Sequence, residues 1–184
     1  AGTWEVVNND DGTVAVDSVA FAKPTDASAD PAELSQVVDI SGYADSTDRG
    51  LVRCALAGLH AGRSSDNDKQ QFVVEALDAS DVFVSTVADS GVLDTNTNAW
   101  ASYASGFLLL PSTTRKIRVR LIADRQTTTA GFDSYFDNVQ LFVEVRPLAS
   151  RDLPLFSGLT YFNKYQSVAA TEPELALGLR EGAF

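Results

Sequence analysis

The stretch GFDSYFDNVQLFVEV, Gly131 to Val145, decides how the chain is read. Val139, Leu141, Val143 and Val145 share one parity, while Gln140, Phe142 and Glu144 take the other. Such period-2 alternation, rich in β-branched and aromatic residues, marks a strand with one face on a core. Two aspartates, Asp133 and Asp137, stand at and before its head. A regular strand carried back to Asp137 places that carboxylate on the valine face. A carboxylate there needs backbone N–H donors or a cation. Asp133 lies ahead of the strand and is expected to be a solvated loop residue.

The same texture extends through most of the chain. TWEVV (3–7), TVAVDSV (13–19), LSQVVDI (34–40), LVRCALAGLH (51–60), QQFVVEALD (70–78), VFVSTVAD (82–89), SGFLLLP (105–111) and RKIRVRLIAD (115–124) precede the closing strand, giving about nine. NNDDG (8–12) is a hairpin turn by its Asp-Gly pair, and SSDNDK (64–69) is expected to be another. GYADSTDRG (42–50), DTNTNAWASYA (94–104) and the two-proline AKPTDASADPAE (22–33) read as loops. Many short strands at this spacing predict an all-β antiparallel sandwich or jelly roll.

The sandwich is assigned to 1–145 and an irregular C-terminal arm to 146–184, where alternation stops and three of the six prolines fall. TEPE (171–174) has capping-box form and predicts a short helix to about Arg180. Phe156, Tyr161, Phe162, Tyr165, Leu175 and Leu179 make the arm too apolar for an inert linker. It either folds back on its own sandwich or docks on a neighbouring subunit.

With 14 Lys and Arg against 25 Asp and Glu, the net charge of −11 repels phosphate backbones and anionic lipid. Nucleic-acid and membrane partners are therefore not expected. A single cysteine forms no internal disulfide, and no apolar run approaches the roughly 20 residues of a membrane span. The basic exception is TRKIRVRLIADR, which sets Arg118 and Arg120 opposite Ile117, Val119 and Leu121. With Arg115, Lys116 and Arg125 it forms a stripe, read first as a salt-bridged sheet face and second as a contact for an acidic patch on an identical neighbour.

Catalytic chemistry finds no anchor. Cys54 and His60, each the only one of its type, are six residues apart, roughly 20 Å along a strand, too far for a dyad. No nucleophile elbow or phosphate-binding loop occurs. The chain is read as a non-enzyme. For a sugar ligand the useful groups are aromatic faces ringed by amides, carboxylates and guanidinium groups. Trp100, Tyr103, Tyr43, Arg63, Asn67 and Tyr135 are the candidates, with Trp100 also fitting a core position.

LSQVVDIS (34–41), QQFVVEALDASDVFVST (70–86), Trp100 with SGFLLLPSTTRKIRVRLIA (105–123), and FDSYFDNVQLFVEV (132–145) together form an ordered set. It resembles the galactose-binding-like jelly-roll family, which includes carbohydrate-binding modules and adhesion domains of surface and phage virion proteins. The resemblance covers 34–145 and departs at the start, where the family's Asn-Gly-x-Phe-Glu opening is missing. It implies that Asp137 is the position of a structural Ca2+ ligand, although the glutamate that would assist it lies in the missing opening. It also implies a glycan-binding or adhesion module on a virion or cell surface. The alternative is a phage virion subunit, a capsid-decoration or tail component, whose partners are copies of itself or other virion proteins.

Overall fold

A computed structural model describes residues 3–10, 13–16, 21–25, 30–63, 67–95, 97–126 and 131–146. The arm residues Phe156, Tyr161, Phe162, Tyr165, Leu175 and Leu179, and the expected helix up to Arg180, lie outside the described residues. The strands are β1 (Trp4–Val7), β2 (Asn9–Asp10), β3 (Thr13–Val14), β4 (Phe21–Pro24), β5 (Ala32–Asp39), β6 (Val52–Gly62), β7 (Lys69–Leu77), β8 (Phe83–Asp89), β9 (Ala101–Ala104), β10 (Leu108–Leu109), β11 (Lys116–Asp124) and β12 (Ser134–Val145). One sheet runs β1-β4-β12-β6-β10, with β9 also on β6; a second runs β5-β11-β7-β8; β2 and β3 form the expected hairpin. Every pairing is antiparallel. The architecture is the expected antiparallel sandwich of jelly-roll type.

Alternation in the sequence becomes burial in the fold. Along β11, Ile117, Val119, Leu121 and Ala123 are buried, while the residues between them are half-exposed. Between the sheets Phe72 is fully buried, stacked on Tyr103 at 5.1 Å and edge-on to Phe136 at 5.3 Å and His60 at 6.0 Å. A buried phenylalanine of this kind contributes roughly 1.5–3 kcal/mol. Cys54 is also a core residue, and burial pushes its thiol up to about 12.

The outward face of β11 carries the basic stripe, and each of its cations has a carboxylate partner in the same chain. Arg118 and Arg120 both hold Glu75, at 2.5 and 2.9 Å, and Arg120 reaches Glu33 at 2.6 Å. Arg115 pairs with Asp48 at 2.7 Å, Lys116 with Asp81 at 2.7 Å, and Arg125 lies 3.9 Å from Asp30. The hydrogen bond from Arg120 holds the Glu33 carboxyl below its usual range. Isolated surface pairs are worth about 0–1 kcal/mol each. Here Glu75 is nearly buried, so its two guanidinium partners offset its desolvation.

Four local expectations change. SSDNDK is not a hairpin, because β6 and β7 belong to different sheets. GYADSTDRG holds a 3-10 turn (Ser41–Tyr43) and a short helix, α1 (Ala44–Asp48), closed at Gly50 with φ 67° by the bond from Leu51 N–H to the Ser46 carbonyl. AKP (22–24) and ASYA (101–104), read inside loops, belong to β4 and β9; small and polar residues hid them. SGFLLLP keeps only two residues in a ladder.

Gly58 faces the pinned Phe72 ring, and a Cβ there would sit 2.8 Å from Phe72 Cε1. The ring is held by three aromatic neighbours and cannot step aside. Gly58→Ala should therefore lose about 1–3 kcal/mol of stability, measured by urea unfolding.

Candidate functional site

The end of β6, the starts of β5, β7 and β12 and the end of β11 lie at one pole of the sandwich. The loops there are tied by a buried acid. Asp68, fully buried, accepts the backbone N–H of Gln126 on Oδ1 and of Asp133 on Oδ2, each at 2.9 Å. Gln70 Nε2 donates to the Asp68 carbonyl at 3.0 Å, and Ser134 Oγ donates to the Lys69 carbonyl at 3.0 Å. Asn98 N–H donates to the Gly62 carbonyl at 2.9 Å, bringing the 97–100 loop alongside.

Asp133 is not the solvated residue expected: it is 4% exposed. Its Oδ1 accepts the Tyr135 hydroxyl at 3.1 Å, and its Oδ2 lies 3.9 Å from Arg63 Nη1. The Arg63 side chain is 42% exposed, so a guanidinium reaches solvent while anchored to a buried carboxylate. Asn67 is exposed, and Asn98 and Trp100 are half-buried. The Trp100 indole meets Phe21 edge-on at 5.5 Å, within a small second cluster that includes Ala15, Ala61 and Tyr135.

Of the six candidate ligand residues, Arg63, Asn67 and Trp100 converge at this pole. Tyr135, at the same pole, has no exposed surface, so its ring cannot stack on a ligand. Tyr43 sits at the opposite pole, beyond β5, in an open depression of about 420 Å³ lined by residues 41–46. Tyr103 is mid-sheet with its ring on Phe72; burial, then the Asp89 charge, raise its phenol. The role of Asp68 escaped the sequence reading because its partners lie 58 and 65 positions away, and no spacing marks such contacts.

The expected orientation of Asp137 also changes. A bulge interrupts the β6–β12 register between Asp137 and Gln140, with Asn138 at φ 48°. The extra residue reverses parity. Phe136 faces the main core before it and Leu141 after it, whereas Tyr135 and Asp137 face the other side. Asp137 Oδ2 accepts the backbone N–H of Val16 at 3.1 Å and Oδ1 that of Asn138 at 2.7 Å. Calcium takes six to eight oxygen ligands. One carboxylate whose two oxygens already accept N–H groups does not fit that demand. Among the described residues no group of three or more His, Cys, Asp or Glu could hold a metal ion.

What this pole offers a ligand is hydrogen bonding and an aromatic edge on a fixed frame. Asp68 and Asp133 are engaged by backbone and side-chain donors, and His60 is buried beneath. Its Nδ1 lies 3.1 Å from Thr95 Oγ1; burial lowers its pKa, with Gln70 acting the other way.

No family model and no curated protein matches the sequence. Solved structures do match in fold. The enzymatically active domain of bacteriophage CBA120 tailspike protein 4 superposes with a TM-score of 0.52 at 12% identity, covering 76% of this chain and 17% of that one. The chain thus spans about one sixth of the tailspike structure. TmCBM61, solved in complex with β-1,4-galactotriose, superposes with a TM-score of 0.50 at 15% identity, covering 77% of this chain and 85% of that one. The likeness is one of fold, an antiparallel jelly-roll sandwich.

Two outcomes are expected. Asp137→Ala should cost roughly 1 kcal/mol through the lost tether to Val16, while chelator leaves the wild-type melting temperature unchanged. For His60, burial depresses the folded pKa below the ordinary 6.5, so the unfolded chain binds more protons. Its contribution to stability is full above that value and is lost as pH falls below it. Urea midpoints measured down a pH series, with an NMR titration of His60, check this.

Proposed function

We propose that the chain is a non-catalytic glycan-binding module displayed on a virion or cell surface, with its site at the pole formed by Arg63, Asn67, Asn98 and Trp100. The observation that supports this reading is that loops carrying Arg63, Asn67, Asn98 and Trp100 lie at one pole of the sandwich, tied by backbone bonds to Asp68 and Gly62. These groups suit a neutral sugar: hydroxyls exchange hydrogen bonds with amides and guanidinium, and a pyranose C–H face lies against indole. A strongly acidic ligand is disfavoured by the overall charge. The fold shared with a module solved with a galactotriose supports the class of ligand, and the one shared with a phage tailspike supports the setting.

A second reading is a virion structural subunit, with the jelly roll as scaffold. It is favoured by the tailspike likeness, in which the matching portion is a small part of a long chain.

A glycan array including β-1,4-linked galacto-oligosaccharides, followed by calorimetry, separates the two. The wild type should bind, and Arg63→Ala and Asn67→Ala should each weaken binding about 5- to 100-fold, as expected for roughly 1–3 kcal/mol lost per polar contact. Binding is measured well below each variant's own melting temperature, because Arg63→Ala also strips Asp133 of its cation. An array on which the wild type binds nothing sinks the glycan reading.

A further inference from the structure

We propose that residues 153–165 of the chain dock in cis on an apolar flank made by Val82, Phe83, Phe107, Leu108 and Leu109. These five are 58%, 52%, 45%, 37% and 53% exposed. Single exposed apolar residues are ordinary, but a contiguous group marks a contact surface. β10 lies alongside β8, so the edges of the two sheets bring the group together across the open side of the sandwich. The flank is fixed, because the next residue, Leu110, is buried and its N–H bonds to the Val52 carbonyl at 3.0 Å.

The position of the chain's exit selects the occupant. β12 ends at Val145 opposite Val52, and Leu109 pairs with Arg53. β12, β6 and β10 are successive strands at this pole, so the exit lies about 10 Å from the flank. The seven residue-to-residue steps from Arg146 to Leu153 span up to roughly 23 Å, which is ample. LPLFSGLTYFNKY (153–165) brings Leu155, Phe156 and Phe162, and its one charge is Lys164. That cation suits Asp78 just ahead of Val82, whose carboxylate accepts backbone N–H groups of Ser80 and Val82, whereas Asp81 is already held by Lys116. A second copy of the chain is a poorer occupant, because two bodies of net charge −11 repel, whereas a tethered segment is present at millimolar effective concentration.

Hydrogen exchange on the full chain tests this, with light scattering for mass. Amides of 153–165 should be protected in the wild type, and Phe83→Ser with Leu109→Ser should speed their exchange at least tenfold while core strands β6, β7 and β11 keep theirs. Phe156→Ser with Phe162→Ser, which leaves the sandwich sequence intact, should give the same loss and increase binding of an apolar dye. A monomer with this pattern supports docking in cis. Unprotected wild-type amides, protection indifferent to the flank substitutions, or a dimer that the Phe156→Ser/Phe162→Ser variant dissolves would each overturn it.

Discussion

The backbone at Asn138 governs which side chains of β12 enter the core. Its φ of 48° is a left-handed conformation that asparagine tolerates better than most residues. The bulge inserts one residue, so Phe136 and Leu141 both point inward although their parity differs. Without it, either the aromatic half or the aliphatic half of the strand would face outward. The aromatic half in turn sets Tyr135 on the opposite surface. There, with Phe21 and Ala61, it supports the small second cluster and the loops above it.

Electrostatics follow the same frame. The strand that supplies the most regular core face, β11, supplies the most ordered charges on its reverse. Glu33, Arg120, Glu75 and Arg118 form a chain of contacts across β5, β11 and β7. That internal pairing answers the question of what the basic stripe does. Its cations are matched within the chain, leaving little unbalanced positive charge for an acidic neighbour.

Much of this was legible in the sequence wherever side-chain periodicity alone decides structure. RKIRVRLIAD announced both its buried and its charged face, and the closing strand announced its valines. Legibility failed where backbone geometry or distant partners decide. The parity of Asp137 was misjudged because a bulge leaves no mark on residue types, apart from an Asn-Val step. β4 and β9 were missed because they hold their places through neighbours rather than through β-branched content. At the site, Arg63, Asn67 and Trp100 were visible as chemistry. The acid that ties the neighbouring loops, Asp68, was not, because a carboxylate bonded to remote N–H groups looks like any loop aspartate.

Asp68 grips its neighbours by main-chain amides rather than by their side chains. Loop position is thereby uncoupled from loop identity. The amides of residues 126 and 133 would hold the same two loops whatever side chains those positions carried. The same property makes this end of the sandwich a natural place to graft diversified loops, a frame for selecting new binding specificities on an unchanged core.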